Sequence, residues 1–328
     1  MLPTSGRRAR LVERRPSGVS KGVGTVDRRT ALVSGVIPLC ASSAVALATA
    51  PEAEAAPTPP GYSSSIYVST SDSNAFTNWG QTEGTHANGP CLNEVVVLDF
   101  GRVERHSSES GYGGYGTIIF QGSGVYENDS SIAKNVEAYA DGWYSASGSC
   151  ARLSLAIGTS NYHECYGGQG CTPNASGIQW GNLVKAVHDD QNNKGHLWQL
   201  TVNAANDIEG GYDSAATTRP WVDGFNSNNP GAGRMYDYGD ANVGGGWSAA
   251  DIAYVAYQAS SDFPLPEAYY DSQINRWMTV RASYYMYFQG TMAESPSGAN
   301  SPNDAWSHFY DALSANGFGQ SLTYSTNI

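Results

Sequence analysis

Positive charge is scarce in this chain once its first 55 residues are set aside. Those residues hold eight of the 18 Lys and Arg and four of the 30 Asp and Glu. The remainder carries 10 basic against 26 acidic residues, a formal charge of −16. No basic stripe is left, so a nucleic acid backbone is excluded as a natural partner and polyanions are disfavoured, whereas neutral and zwitterionic glycans are not. Cysteine is also scarce, with five in all, and histidine little commoner, with six. None sits at metal-ligand spacing, so neither a metal nor another cofactor is expected. Beyond residue 55 no Gly-x-Ser-x-Gly appears, which disfavours a serine hydrolase. No Gly-x-Gly-x-x-Gly turn opens a helix straight after the first strong strand, which disfavours a dinucleotide-binding sheet.

What the first 55 residues do have is an export pattern. Arg7, Arg8, Arg10, Arg14, Arg15, Lys21, Arg28 and Arg29 form a basic region; Ala31–Ala50 is apolar or small; Ala53-Glu54-Ala55 is a small-x-small cleavage signal. The apolar run is short and rich in Ala and Ser, so a removable signal is favoured over a permanent membrane span. Asp27-Arg28-Arg29-Thr30-Ala31-Leu32 resembles a twin-arginine export signal, which implies a bacterial, secreted protein. Residues 1–55 are therefore expected to leave as a signal, Cys40 with them. Residues 56–90 form a linker and loop-rich extension, and residues 91–328 the main domain. Four cysteines remain. In an exported protein they are expected to pair, as Cys165–Cys171 across a short loop and, by elimination, Cys91–Cys150.

The main domain is organised around His196–Asp213, which reads HLWQLTVNAANDIEGGYD. Side chains alternate faces along a strand. Trp198, Leu200, Val202 and Ala204 therefore share an apolar face. Gln199, Thr201, Asn203, Ala205, Asp207 and Glu209 share a polar, small one. Helices are expected on the first and a wet site at the carboxyl end of the second. Two acids ahead of a glycine turn suit acid–base chemistry; capping the turn is their other reading.

Seven further stretches read as strands: 94–100, 117–121, 152–158, 234–238, 251–258, 265–270 and 285–289. Helical patterns fill most gaps, as in Ile132, Val136, Tyr139 and Trp143, or Trp180, Leu183, Val184 and Val187. Eight strand–helix units over about 240 residues predict an α/β fold, a somewhat irregular (β/α)8 TIM barrel. Polar residues ending barrel strands converge on one mouth. Here they are Asp99, Gln121, Asn161, Asp207, Glu209, Asp237, Gln258 and Gln289, with Tyr162 and Tyr212 beside them. Asp99 reads equally as an acceptor for nearby backbone N–H groups. Acids within a ring of aromatics suit a sugar, whose faces stack and whose hydroxyls need directional partners.

With its export pattern, Asp99 ending the first strong strand and Asp207-Ile208-Glu209 ending the fourth, the chain resembles bacterial secreted glycoside-hydrolase-like barrels. These include the lysozyme-type muramidases and a looser group of actinobacterial domains. Pro264-Leu265-Pro266-Glu267-Ala268-Tyr269 is similar to a late-strand segment of the looser group. The resemblance implies that Glu209 is the general acid, that Asp207 orients substrate or steadies an intermediate, and that Asp99 lies in the floor of the site. Asp99 stands in Leu98-Asp99-Phe100-Gly101, a departure from the Gly-x-Asp-x-Ser of the muramidases. Substrate contacts are expected from Gln121, Asn161, Tyr162, Tyr212, Asp237, Gln258 and Gln289. The reading is a secreted glycosidase acting on a cell-wall or extracellular polysaccharide. The alternative is a barrel that binds such a glycan without cutting it.

Overall fold

The computed structural model describes residues 57–106, 114–122, 124–163, 170–227, 233–259 and 262–328, all within the unit Ala55–Ile328. It is a mixed α/β fold, with a central sheet packed by helices. Among the described residues no helix is long and apolar enough to cross a membrane.

The chain enters through two short strands, β1 (Ser63–Ser64) and β2 (Ile66–Tyr67), and then α1 (Ser73–Asn88). There follow β3 (Asn93–Arg105), β4 (Tyr115–Ile118), β5 (Tyr126–Asn128), α2 (Asp129–Ala146), β6 (Arg152–Ser160), α3 (Pro173–Asn193) and β7 (Leu200–Asp207). The second half holds α4 (Ala215–Ser227), β8 (Met235–Asp237), α5 (Ala249–Ala253) running into a π-helical turn (Tyr254–Gln258), and β9 (Asp262–Pro264). It closes with α6 (Asp271–Ser283), β10 (Gly290–Ala293), α7 (Pro302–Ala315) and β11 (Tyr324–Asn327).

Strands β3, β6, β7, β8 and β9 pair in that order, all parallel. Just past β9, Glu267 bridges Met292 of β10, again in parallel. Parallel pairs then link β10 to β11, β11 to β1, and β2 to β3.

Alternation along these strands separates two cores. Val96, Leu98, Leu155, Ile157, Leu200, Val202 and Ala204 face the helices. Val95, Val97, Ala156, Ala205, Tyr236, Tyr238, Leu265 and Met292 pack together on the other face. From Leu200 on, the two faces expected for β7 are thus the observed ones; Trp198, expected on the apolar face, lies in the turn before the strand and is 52% exposed. Large apolar side chains meet helices, while Thr201, Asn203, Ala205 and Asp207 fall on the side of the second core.

Besides 265–270, where the strand lies upstream as β9 and only Glu267 makes a bridge, four expected elements are corrected. Residues 117–121 are not a member of the parallel series. β4 runs antiparallel to the end of β3, and β5 antiparallel to β4. Gly101 allows this, with φ +79°; a Cβ there would lie 2.4 Å from the Ile118 carbonyl oxygen. Residues 251–258 are helical. Ser248 and Asp251 form a reciprocal capping box, and the buried Ile252, Val255, Ala256 and Ala259 follow helical spacing. The strand expected at 285–289 begins only at Gly290. Met286 and Phe288 alternate but are buried against helices, and small residues make the sheet contact.

The fourth correction is α1, in a stretch read as loop. Its buried residues Phe76, Gly80, Glu83, Gly84 and Ala87 follow helical spacing, and Asp72 caps its first turn. Gly80 and Gly84 lower helix propensity, and tertiary packing explains them. A Cβ on Gly80 would lie 2.1 Å from the Tyr139 carbonyl oxygen, and one on Gly84 2.5 Å from that of Trp143. The glycines let α1 and α2 pack backbone to backbone.

Cys91 and Cys150 form the expected disulfide, joining the turn before β3 to the turn before β6. Cys171 is also disulfide-bonded. Its expected partner, Cys165, lies outside the described residues.

Candidate active site at the carboxyl ends of the strands

Strand β7 delivers Asp207 to its carboxyl end, and the chain then leaves the sheet through Ile208 and Glu209. Ile208 turns back into the helix-facing core. Glu209 is therefore free to return to the Asp207 side, and Asn161 holds it there. The Asn161 Oδ1 accepts from the Glu209 N–H at 3.0 Å, while Nδ2 donates to the Glu209 carbonyl at 3.2 Å and to Thr218 Oγ1 at 3.1 Å. Asn161 is fully buried, so it positions Glu209 rather than meeting substrate.

The third acid is Glu267, just past β9. One carboxylate oxygen from each of Asp207, Glu209 and Glu267 lies within 4.8 Å of the others. Gln273, from the first turn of α6, donates to Glu267 Oε2 at 2.8 Å. Asp207 is 8% exposed, and its Oδ1 has no hydrogen-bond partner.

All three acids are pushed above the ordinary carboxylate range. Burial is the main cause in each case. Glu267, Asp99 and Glu209 add repulsion at Asp207; Glu209 adds it at Glu267. At Glu209, Asp240 raises the value and Arg276 partly offsets it. Three carboxylates this close cannot all ionise cheaply, so the trio retains protons toward neutral pH. The same oxygens are also spaced to hold a cation.

Asp99 and Asp237 end their strands in a different way. Each caps a turn in an Asp-x-Gly sequence: Asp99 Oδ1 accepts from the Gly101 N–H at 2.8 Å, and Asp237 Oδ1 from the Gly239 N–H at 3.1 Å. Burial raises Asp99 to about 6 and Asp237 to about 7, the backbone donors opposing it. Both add like charge at Asp207.

Beside Asp207 opens a cavity of about 340 Å³, walled by Tyr67, Phe120, Tyr162, Tyr212 and Arg102. The Tyr67 and Phe120 rings lie 4.9 Å apart, and those of Tyr162 and Tyr212 meet edge-on at 5.2 Å. Phe120 and Tyr162 are 47% and 42% exposed, high for large rings. A larger cavity of about 560 Å³ lies at the amino ends of the strands, around Asn203, Arg234 and Tyr236. No acid lines it, so the chemistry favours the smaller one.

Of the residues expected at the mouth, Asp207, Glu209, Tyr162 and Tyr212 come together, with Asn161 behind them. Gln121 is exposed in the β4–β5 turn, and Gln258 is exposed at the end of the π-helical turn. Gln289 precedes β10 and so lies at the amino end of a strand, away from the acids. Sequence reasoning left out Glu267, Tyr67, Tyr269 and Gln273. Alternation from Leu265 places Glu267 and Tyr269 on one face, a usable signal. Tyr67, whose hydroxyl lies 3.5 Å from that of Tyr269, sits on a strand too short to stand out.

No family model and no curated protein sequence matches this chain. Among solved structures, 3-keto-D-glucoside 4-epimerase YcjR from E. coli, in apo form, is similar over 78% of this chain and 79% of that one, at 9% identity and a TM-score of 0.34.

Proposed function

We propose that this chain is a secreted glycoside hydrolase that cleaves a cell-wall or extracellular polysaccharide by carboxylate acid catalysis. We further propose that its strands close as a (β/α)8 barrel. The run of parallel pairs from β3 through β11 and β1 to β2 supports that closure, as does the second core on the face away from the helices. Proposed too are removal of residues 1–55 on export and the likeness to secreted glycoside-hydrolase-like barrels.

One observation carries the catalytic reading: three carboxyl groups from two strand ends meet within 4.8 Å, and one of them, Asp207, lines a cavity walled by four aromatic rings. Glycosidic cleavage needs one acid still protonated near neutral pH and a second group ionised. Glu209 is the proton donor, because it is less buried than Asp207 and Glu267 and Asn161 fixes its backbone. Glu267, held by Gln273, is the second carboxylate, facing the oxocarbenium-like carbon. Asp207, whose carboxylate is disfavoured by burial and by the neighbouring acids, lies against the sugar. Carboxyls this close suit retention of configuration, for which separations of about 5–5.5 Å are typical.

The test is a panel of cell-wall and plant-type polysaccharides, read by reducing-end release and by pull-down. Glu209→Gln keeps the side chain's size and removes the acid. Turnover should fall by about 10²–10⁴. Cleavage that survives the change would remove Glu209 from the mechanism. Pull-down without cleavage across the panel would leave a glycan-binding protein.

A further inference from the structure

The charged and amide donors beside the trio are already engaged. Gln273 donates to Glu267, Asn161 to the Glu209 backbone and Thr218, and Arg276 to Asp240. Arg102, in the cavity wall, is paired with Glu104 at 3.2 Å. The trio therefore offers mainly acceptors. Asp207, the member of the trio that lines the cavity, is more than nine-tenths buried, and its Oδ1 is without a partner. A hydroxyl both gives and takes hydrogen bonds, whereas an ammonium has three donors and no acceptor. Aromatic faces attract cations as well as sugar rings. Beyond residue 55 the chain carries a charge of −16, which steers cationic polymers toward it.

We propose that the cavity takes a hexosamine unit bearing a free ammonium, its nitrogen against Asp207 and its ring among Tyr67, Phe120, Tyr162 and Tyr212. The substrate class is then a partly or wholly de-N-acetylated amino-sugar polymer. This rests on the glycan reading above. It also gives the unpartnered Asp207 an occupant. Burial and like charge disfavour its carboxylate, and an incoming ammonium supplies the opposite charge that stabilises it.

The experiment compares a glucosamine tetramer with its fully N-acetylated counterpart, by calorimetry on the intact protein. The amine form should bind about 10- to 100-fold tighter, the scale of one charge-assisted hydrogen bond. Asp207→Asn should bring the ratio close to one, weakening the amine oligomer more than the acetylated one. Should that buried substitution impair folding, Glu209→Gln on its half-buried turn is the second variant and should also reduce the preference. Equal affinities in the wild type would overturn the inference, as would a preference untouched by either variant. Displacement of the amine oligomer by millimolar Mg²⁺ or Ca²⁺ would reassign the trio to a metal ion and overturn it too. Mass spectrometry of the same samples scores cleavage separately. Amine preference without cleavage removes only the catalytic reading; cleavage without amine preference removes only this inference.

Discussion

Two places among the described residues gather three side chains able to ligate a metal, within 4.8 Å of one another. One is Glu83, His86 and Glu94, where α1 meets β3; the other is Asp207, Glu209 and Glu267. The first is built into its surroundings. Glu83 Oε1 accepts from the Ser64 N–H at 3.1 Å, Glu94 Oε1 accepts from Trp143 Nε1 at 2.6 Å, and His86 lies 3.5 Å from Glu83 at the surface. Each trio keeps one unpartnered buried oxygen, Glu94 Oε2 in the first and Asp207 Oδ1 in the second; what sets the second apart is the aromatic-walled cavity that Asp207 lines. A cluster of metal-ligating side chains is thus ambiguous by composition. Its role follows from whether a cavity opens onto it, since both trios leave one buried oxygen unused. In the first trio the bonded oxygens tie β1, α1, β3 and α2 together.

The sharpest way to break this contrast is one substitution made in both trios. Glu267→Gln should lower glycan turnover by about 10²–10⁴. Glu94→Gln should leave turnover within about twofold, since that side chain is remote from any reacting atom. Reducing-end assays on both variants decide it, and equal losses would erase the distinction.

A smaller effect tests how the second trio is held. Asn161→Ala removes the clamp on Glu209. It should lower kcat by about 10- to 100-fold with KM nearly unchanged, as misplacing a catalytic group does. A change confined to KM would return Asn161 to substrate contact.

On the first trio the expected signature is stability. Trp143→Phe deletes the indole donor to buried Glu94 and should cost about 1–3 kcal/mol by urea unfolding, with little effect on turnover of the folded protein.

The smallest effect is in pH dependence. Burial and Glu83 raise Glu94 to about 8, and burial raises Asp99 to about 6 and Asp237 to about 7. A raised acid binds its proton more tightly when folded. Its stabilising contribution is complete below the unfolded value near 4 and is lost as pH rises through the folded one. Thermal stability should therefore decline from about pH 5 to pH 8. Glu94→Gln should flatten the upper part of that decline, by on the order of 1 kcal/mol. A stability maximum above pH 8 would contradict these shifts.

Much of the site was legible along β7, because a strand with helices on one face writes that face into every second residue. Leu200, Val202 and Ala204 mark one side, and Asp207 and Glu209 mark the other. Asp99 and Asp237 were legible as strand-end acids, yet their Asp-x-Gly spacing also encodes local turns, and those turns use them. Residues 251–258 misled because Ile, Tyr, Ala and Val fit both periods; the Ser248–Asp251 box decided for a helix. Strand β10 was missed because Gly290 and Thr291 carry no apolar signal and borrow their order from Tyr324 and Ser325.

The sequence by itself determined the acidic, basic-poor character of the chain beyond residue 55, the two-faced β7 strand, the Cys91–Cys150 pair and two of the three clustered acids. Only the tertiary structure decided that Glu267 joins them, that Asn161 grips Glu209 from 48 residues away, and that Gly80 and Gly84 belong to a helix. Periodicity and local turn chemistry act within a few residues and leave their mark in the local pattern. Carboxylate proximity and backbone-to-backbone helix packing arise between segments far apart in the chain, where the fold alone brings them into contact.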